Sequence, residues 1–510
     1  MLLSRVVDTS AALAATRSRK EKAALIADTL RASAPTEIAV VASFLAGSLR
    51  QRRTGVGWRG ASLEAPAAVE PSLTVSAVHE AFDSIAQLSG PGSQRARNDA
   101  MAALFGAATV DEQSWLRGVI TGAVRQGALD SLVQEGLAQA LTIPLALVRR
   151  AAMLAGGTVE IAQAAATGGA AALEQIGLSV GTPVLPMLAS AASDVSTAMA
   201  KAGGGEVAID VKLDGIRVQV HKDGDDVLVA TRSLDDITAR VPEVVAAVRS
   251  LAPHRLILDG EALALTDQGR PRPFQETAAL SAQASATPGE HALLPYFFDL
   301  LHVDGTDLLD EPASVRAAAL ADVVPEPLRV PRLVTADPVA AEEFAAAALR
   351  DGHEGVVVKN LNAPYAASRR GAAWVKVKPV HTFDLVVLAV EWGSGRRTGL
   401  LSNIHLGARD PHSASGFATV GKTFKGMTDE MLAWQTERFT ELALDPGAMH
   451  DSYVVHVRPE QVVEIALDGI QTSTRYPGGI ALRFARVVGY RYDKSADEAD
   501  TLAEVKAHFS

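Results

Sequence analysis

The sequence predicts a multidomain α+β protein: an all-α domain at residues 1–200, a mixed α/β domain at 201–382 and a small β-barrel at 383–510. Three observations support this division. Residues 1–200 are rich in Ala and Leu and poor in strand signals. After Gly203-Gly204-Gly205 the chain changes to short β-branched runs, and beyond residue 383 strand-like runs alternate with turn signals. At 510 residues and 48% hydrophobic content, the chain can fill several cores.

Charge and composition exclude several classes of protein. The formal net charge of −11 weakly opposes nucleic-acid binding, although residues 1–200 carry 16 basic and 16 acidic residues and are neutral overall. The absence of cysteine excludes disulfides and thiolate zinc sites. No apolar run reaches about 18 residues, and the N-terminus lacks a signal-peptide pattern, so we expect a cytoplasmic protein that does not bind membranes.

The N-terminal domain is predicted to be helical throughout. Apolar residues recur at helical spacing at 18–33, from Pro35 onward, and at 73–88, 110–126, 128–140 and 143–155. Basic residues occur in groups, of which Arg50, Arg52 and Arg53 are the candidates for DNA-phosphate contacts. A solvated helix face gives the same pattern, so these groups do not decide the function alone.

The mixed domain is organised around Glu206–Arg217, where a β-rich run ends in Lys212. A hairpin turn is predicted at Asp223-Gly224. Further strands are predicted at 217–221, 227–230 and 256–258. A lysine becomes nucleophilic when burial or a neighbouring cation lowers its pKa from about 10.4. Lys212 is therefore a candidate nucleophile, although a surface hairpin with a salt-bridged lysine would show the same motif.

Lysines and aromatic residues near later strands indicate a nucleotide pocket. Strand alternation would place Lys376 and Lys378 on one face, where two ammonium groups require an anion. Phe298 offers a plane on which a base can stack, although a lone phenylalanine is more often a core residue.

Three carboxylates lie beside or near glycines: Asp214, Glu261 and Glu354. Carboxylate oxygens suit a hard cation or a ribose, although Glu261 alone would also fit a solvated acid at a strand end. Together with the lysines, these groups favour nucleophilic attack on phosphorus.

The C-terminal region has strand-like runs at 385–390, 416–420, 453–457 and 462–467, as in a small five-stranded barrel. Gly421–Gly426 offers Lys422, Lys425 and Phe424 to nucleic acid, although a β-domain of another function would show the same runs. A short helix is predicted within Asp497–Ser510.

Six motifs follow one another in a recognisable order: Lys-x-Asp-Gly at 212–215, Thr-Arg-Ser at 231–233, Asp-Gly-Glu at 259–261, Phe-Asp at 298–299, Glu-Gly-x-x-x-Lys at 354–359 and Lys-x-Lys at 376–378. The set resembles the covalent nucleotidyltransferase superfamily, and most of all the ATP-dependent DNA ligases that bacteria carry beside an NAD-dependent enzyme. Residues 1–200 are similar to that family's DNA-binding domain, and the tail is similar to its OB-fold, including Arg483–Arg486 and Arg491–Lys494.

The resemblance implies that residues 201–382 form an adenylation domain, in which Lys212 attacks the α-phosphate of ATP to give lysyl-AMP. Asp210 stands where the family usually has a glutamate beside the adenine. Mg²⁺, with Mn²⁺ as an alternative, is implied on Asp214 and Glu354. Contacts to ATP or AMP are implied for Asp210, Arg217, Arg232, Glu261, Phe298, Arg316, Arg370, Lys376 and Lys378.

The resemblance also implies how the remaining basic residues act. Arg483, Arg486, Arg491, Asp493 and Lys494 would orient the outgoing pyrophosphate when the OB domain closes. DNA contacts are implied for Arg232, near the nick, and for Arg50, Arg52, Arg53 and Lys422. The implied partner is nicked duplex DNA, bound by a monomer at the bacterial nucleoid during repair, replication or recombination.

Three hypotheses follow: an ATP-dependent DNA ligase, another covalent nucleotidyltransferase such as an RNA ligase or capping enzyme, and a DNA-nick binder without chemistry. The long helical domain argues against the second hypothesis, and the intact Lys212, Glu354, Lys376 and Lys378 argue against the third. An NAD-dependent ligase is disfavoured because that family carries a four-cysteine zinc module.

Overall fold

The computed structural model describes the whole chain except residues 52, 283–291, 367–369, 395–396, 448, 450–451 and 509–510. The chain divides into two compact units. The first comprises Met1–His353 and Val357–Lys376, and the second comprises Glu354–Val356 and Val377–Ser510. The three domain boundaries predicted from the sequence stay a proposal.

Among the described residues, the first unit begins with ten helices. They are α1 (Leu3–Ala15), α2 (Arg19–Arg31), α3 (Ile38–Leu45), α4 (Trp58–Ala61), α5 (Val75–Gln87), α6 (Ser93–Gly106), α7 (Val110–Ile120), α8 (Asp130–Leu141), α9 (Leu145–Leu154) and α10 (Thr158–Glu174). The predicted helical segments are confirmed. Ser18 caps α2 by accepting a hydrogen bond from the Glu21 backbone N–H, and Thr109 and Glu112 form a capping box on α7.

One core holds these helices together. Leu30, Phe44, Phe82 and Leu137 are each at most 1% exposed and belong to it. The apolar stripes that predicted the helices face this core, so burial of those stripes stabilises the helical region.

The rest of the first unit alternates strands and helices. In chain order these are β1 (Leu188–Ala192), α11 (Val195–Lys201), β2 (Val207–Lys212), β3 (Ile216–Asp223), β4 (Asp226–Thr231), α12 (Pro242–Arg249), β5 (Arg255–Ala264), α13 (Phe274–Ala282), β6 (Leu293–Val303), β7 (Thr306–Asp307), α14 (Ala313–Val323), β8 (Arg332–Thr335), α15 (Pro338–Arg350), β9 (Gly355–Asn360) and β10 (Arg370–Val377). Over the part of the chain that the structure describes, these strands form two five-stranded sheets, with strand orders β1-β10-β9-β2-β8 and β4-β3-β5-β6-β7.

The segment before Gly203–Gly205 already packs with the strands that follow it. β1 pairs with β10, and Val184 and Met187 pack with Leu301 and Trp374 in a shared core. Gln219 on β3 accepts a hydrogen bond from the Val184 N–H (2.8 Å). Gly203–Gly205, where the sequence changes from helical to β-rich, therefore lie between α11 and β2 within the first unit.

The second unit is rich in strands. Its elements are β11 (His381–Trp392), β12 (Leu401–Arg409), β13 (Phe417–Thr423), α16 (Asp429–Glu441), β14 (Val454–His456), β15 (Val462–Leu467), β16 (Gly469–Thr472), β17 (Ile480–Arg483), β18 (Arg486–Arg491) and α17 (Leu502–Ala507). The main sheet runs β13-β12-β11-β15-β18, β14 also pairs with β11, and β16 and β17 form a hairpin. Leu385, Leu406, Phe439 and Val463 are fully buried in its core.

The predicted OB-like domain is confirmed, but its barrel does not close. The described strands form an open path from β13 to β18. Beyond the end of β13, the Val487 N–H of β18 donates a hydrogen bond to the Lys425 carbonyl (2.9 Å), so the two edges meet without forming a ladder. Among the described residues, the helices are too short or too polar to cross a membrane.

Candidate active site

Lys212 is the last residue of β2, and its side chain is half-buried. The chain turns through Asp214 and Gly215 into β3. A side chain at position 215 would collide with the Ala262 carbonyl oxygen of β5, so only glycine permits this approach. The tight connection fixes Lys212 at the junction between the two sheets of the first unit.

Arg217 and Glu261 face each other across β3 and β5, where their Cα atoms are partners in the ladder. Arg217 binds the buried carboxylate of Asp259 through Nε and Nη2, both at 2.6 Å. Asp259 also accepts a hydrogen bond from the Tyr365 hydroxyl (2.7 Å). Burial opposes the charge of Arg217, but Asp259 outweighs it and raises the pKa of the guanidinium. Arg217 is therefore permanently charged and held in place.

The pKa of Glu261 is the most informative one in this site. Burial raises its pKa to about 7, even though the positive charges of Arg217 and Lys212 oppose that shift. Because Lys212 acts on Glu261 in this way, the predicted nucleophile, the arginine and the carboxylate form one electrostatic group. A carboxyl group that titrates near neutral pH is typical of functional sites.

Phe298 lies on β6 beside this group, half-buried. The Arg217 guanidinium carbon is 4.8 Å from its ring centroid, and the Lys359 Nζ is 4.5 Å from it. Trp374 contacts the ring edge-on at 5.8 Å. The structure thus brings Lys212, Arg217, Glu261 and Phe298 together.

Asp210 is also near, but its carboxylate is occupied. It is 2% exposed and binds Arg332 and Lys359. Asp214 is half-buried in the turn after Lys212.

The two lysines of the Lys-x-Lys motif fall in different units. Lys376 lies on β10 in the first unit, half-buried, whereas Lys378 follows the end of β10 at Val377 and belongs to the second unit. That both side chains share one strand face stays a prediction.

Within the second unit, Lys378 is bound by two carboxylates. Its Nζ lies 2.5 Å from Asp468 Oδ2 and 3.1 Å from Glu354 Oε1. Burial disfavours its charge, but the bonds to Asp468 and Glu354 outweigh burial and raise the pKa of Lys378. Gly355 supports this arrangement, since a side chain there would collide with the Val377 carbonyl oxygen and its φ is +137°.

Three other predicted nucleotide contacts are placed differently. Arg316 is 1% exposed on α14 and binds Asp299 through Nε (2.7 Å) and Nη2 (3.1 Å), which makes it a core ion pair and does not support a nucleotide contact. Arg232 is exposed on the turn after β4. The side chain of Arg370 lies outside the described residues.

The residues that are predicted to orient pyrophosphate all lie in the second unit. Arg491 binds Asp493 (2.9 and 2.6 Å) and Asp384 (3.0 Å), and Lys494 also binds Asp384 (2.6 Å). Arg486 lies 3.3 Å from Asp468.

Arg483 ends β17, and its guanidinium carbon is 5.9 Å from the ring of Phe484, which is 58% exposed. Phe484 has a φ of +55°, a conformation that holds its ring at the surface at some cost in strain.

The predicted DNA contacts lie mainly at the surface. Arg50 and Arg53 are exposed after α3, and Arg52 lies outside the described residues. Lys422 on β13 is half-exposed but binds Glu391 at 2.6 Å. That carboxylate competes with any phosphate for Lys422.

Comparisons with known proteins identify the family. Family models match "ATP dependent DNA ligase domain" at residues 186–378, "ATP dependent DNA ligase C terminal region" at 397–494 and "DNA ligase N terminus" at 59–138. A "Probable DNA ligase" from Nocardioides sp. is 64% identical over 512 residues, covering 99% of both chains. The chain belongs to the ATP-dependent DNA ligase family. It is therefore an enzyme that forms phosphodiester bonds in DNA with ATP as a substrate.

Other relatives agree with this assignment. A "Probable DNA ligase" from Kineococcus radiotolerans is 61% identical to this ligase over 511 residues, with 99% of each chain covered. The solved structure named "Pmar-Lig_PreS3" has a TM-score of 0.62 and 18% identity, covering 95% of this chain and 99% of that one. At that identity, the structural likeness shows the shared fold alone.

Sequence reasoning missed the acids and cations that hold the site. Asp259, Tyr365, Arg332 and Lys359 have no predicted role, although Asp259 and Lys359 belong to the motifs at 259–261 and 354–359. Asp259 lies two residues before Glu261, and Lys359 ends a β-rich run. These positions were the only indication of a role in the sequence, because the partners of both residues are distant along the chain.

Proposed function

We propose that this ligase seals nicks in duplex DNA through a covalent AMP on Lys212. The observation that carries the proposal is the group formed by Lys212, Arg217, Glu261 and Phe298, in which a lysine at a strand end adjoins two charges and an aromatic ring. A nucleophilic lysine beside an arginine and a stacking surface suits adenylation by ATP.

In the first step, Lys212 Nζ loses a proton and attacks the α-phosphorus of ATP. A phosphorus–nitrogen bond forms, the bond to the leaving oxygen breaks, and pyrophosphate departs. AMP then passes to a 5′-phosphate of DNA, which frees Lys212. The 3′-hydroxyl attacks that activated phosphate, releases AMP and completes the phosphodiester bond.

The protein side chains divide these tasks. Phe298 stacks on the adenine, Arg217 and Glu261 hold the ribose and nearby phosphates, and Lys376 and Lys378 bind the α-phosphate. Arg483, Arg486, Arg491, Asp493 and Lys494 orient the outgoing pyrophosphate. The occupied donors of Arg491 and Lys378 must leave their carboxylates to do so, which is feasible because both side chains are partly exposed.

Mg²⁺, with Mn²⁺ as an alternative, suits the donors that the chain offers. Among the described residues no three His, Cys, Asp or Glu side chains form a cage. Mg²⁺ typically binds one or two carboxylates and completes its shell with water and substrate phosphates. Asp214 and Glu354 are the candidate carboxylates. When bound, the ion offsets negative charge on the phosphate oxygens.

The partner we propose is nicked duplex DNA, bound by a monomer in the bacterial cytoplasm at the nucleoid. Exposed Arg50, Arg53 and Arg232 support phosphate contacts, so binding is expected to weaken steeply with salt and to depend little on sequence.

The test is the intact mass of the protein after incubation with ATP and Mg²⁺, beside Lys212→Ala. Lys201→Ala is a matched control because Lys201 is an exposed lysine at the end of α11, and its Nζ donates a hydrogen bond to the Ala191 carbonyl. We expect an AMP adduct on the wild type and Lys201→Ala, and none on Lys212→Ala. An adduct that persists in Lys212→Ala would show that another residue is the nucleophile.

A labelled nicked duplex completes the test. The wild type should convert the nick to a continuous strand, whereas Lys212→Ala should seal only a nick whose 5′-phosphate already carries AMP. If the wild type gains AMP but leaves the nick open, the proposed substrate is wrong and the adenylation assignment stands.

A further inference from the structure

A row of three charged side chains crosses the central strands of the first unit. Asp210 lies on β2, which pairs with β8 on one side and with β9 on the other. Arg332 of β8 is the ladder partner of Asp210, and Lys359 lies on β9. Asp210 and Lys212 are two residues apart on β2, so both side chains leave the same face of the sheet. The row therefore lies beside the nucleophile.

The Asp210 carboxylate is fully engaged in this row. Oδ1 accepts from Arg332 Nε at 2.5 Å, and Oδ2 accepts from Arg332 Nη2 at 2.8 Å and lies 2.7 Å from Lys359 Nζ. Burial opposes the charge of Asp210, but the two cations outweigh it and lower the pKa of the carboxyl. With 2% of its surface exposed, Asp210 offers little room for a hydrogen bond from a nucleobase.

The same two cations hold Phe298. Its carbonyl accepts from Arg332 Nη2 at 3.0 Å and from Lys359 Nζ at 3.5 Å. Lys359 Nζ also lies 4.5 Å from the Phe298 ring centroid and 4.3 Å from that of Trp374. Cation–π contacts of this kind are strongest when the cation is desolvated, and Lys359 is 4% exposed. Arg332 and Lys359 thus fix both the backbone and the ring of Phe298.

We propose that Asp210, Arg332 and Lys359 are positioning residues that hold Phe298 for stacking on the nucleobase, and that Asp210 does not itself bind the adenine 6-amino group. Asp210 neutralises the two cations, and the cations fix the aromatic plane. The proposal rests on the proposed role of Phe298 and deepens it, because it assigns base binding at this position to stacking and removes a direct polar contact.

The test compares ATP with purine riboside triphosphate, which lacks the 6-amino group, in the adenylation half-reaction. KM and kcat are measured for the wild type, Asp210→Asn, Lys359→Met and Lys359→Arg. Asp210→Asn keeps the shape of the side chain and weakens its hold on the cations. Lys359→Met keeps the length and leaves the Asp210–Arg332 pair balanced in charge.

We expect Asp210→Asn and Lys359→Met to raise KM by about tenfold for both nucleotides, with a much smaller change in kcat. The ratio between the two nucleotides should stay that of the wild type in each variant. Lys359→Arg should restore most of the affinity, because it returns a cation to Asp210. A loss of folding alone would not produce a KM change that spares kcat and recovers with arginine.

Three results would overturn the proposal. Asp210→Asn could abolish the preference for ATP over the analogue, which would show that Asp210 binds the 6-amino group. Asp210→Asn and Lys359→Met could both leave KM unchanged. Phe298→Ala could also leave KM unchanged while the wild type still forms lysyl-AMP, which would remove the stacking role on which the proposal rests without affecting the assignment of Lys212. If Lys359→Met does not fold, Asp210→Asn and Lys359→Arg decide the question.

Discussion

Two arginine–aspartate pairs in this ligase have the same chemistry and opposite surroundings. In the first unit, Arg217 binds Asp259 with two bonds of 2.6 Å, and the Asp259 side chain is 1% exposed. In the second unit, Arg491 binds Asp493 with bonds of 2.9 and 2.6 Å, and the Asp493 side chain is 64% exposed. The lengths of the hydrogen bonds alone would not distinguish the two pairs.

Burial decides what each pair does. Removing the partner of a buried charge destabilises the protein, because the charge stays desolvated without compensation. An exposed charge can replace its partner with water or with another ion. The Arg217–Asp259 pair therefore belongs to the permanent framework around Lys212. The Arg491–Asp493 pair is exchangeable, which suits residues proposed to meet pyrophosphate and then to release it.

The largest expected effect comes from breaking the buried pair. Asp259→Ala should lower the free energy of unfolding by about 3–5 kcal/mol, because Arg217 is left charged and without its carboxylate. Asp493→Ala is the matched control, and it should leave the unfolding midpoint unchanged while slowing lysyl-AMP formation. Denaturant unfolding followed by circular dichroism measures both. Equal losses of stability would show that burial does not distinguish the pairs.

The second expected effect is a change of the free energy of unfolding with pH. Burial raises the pKa of Glu261 to about 7 from an ordinary value of 4.5, so the folded state binds this proton more tightly than the unfolded state does. Its contribution to stability is complete below pH 4.5 and is lost as the pH rises through 7, with a total of up to about 3 kcal/mol. Glu261→Gln should remove this part of the pH dependence.

Denaturant unfolding at pH 5 and pH 8 measures the Glu261 effect, and the wild type should lose more stability over this range than Glu261→Gln. Asp493 provides the control. Its hydrogen bonds with Arg491 lower its pKa to about 2, so it stays ionised between pH 5 and 8. Asp493→Asn should therefore show the same pH dependence as the wild type between pH 5 and 8. Identical curves for the wild type and Glu261→Gln would contradict the assigned titration.

The smallest expected effect concerns a pair of intermediate exposure. Asp468 binds Lys378 at 2.5 Å, and their side chains are 12% and 17% exposed. Asp468→Asn should lower the ATP concentration for half-maximal adenylation about threefold, because Lys378 exchanges a neutral partner for phosphate more easily than a charged one. Asp497→Asn is the control, since Asp497 is an exposed acid elsewhere in the same unit. A higher ATP requirement in Asp468→Asn would show that Asp468 positions Lys378 and does not compete with phosphate.

Local sequence patterns predicted much of the fold. The helix at α2 follows from its apolar spacing and the Ser18 cap, and the β3–β4 hairpin follows from Asp223-Gly224, where Gly224 adopts a φ of +62°. By contrast, the sequence places α10 in the helical region without indicating its bounds, because Ala166–Ala172 has no contrast between polar and apolar residues to reveal its periodicity. The position of Lys212 at the end of β2 was also predicted correctly.

The sequence by itself determined the order of the elements, the family motifs and the candidate nucleophile, because these depend on spacing within a few residues. Only the tertiary structure decided which charges are paired. Arg217 meets Asp259 at a separation of 42 residues, and Arg332 meets Asp210 at a separation of 122. Arg316 resembles any other basic residue in the sequence and becomes a core ion pair only when α14 packs on β6. Burial and partner choice are properties of packed elements, so no pattern within one segment could reveal them.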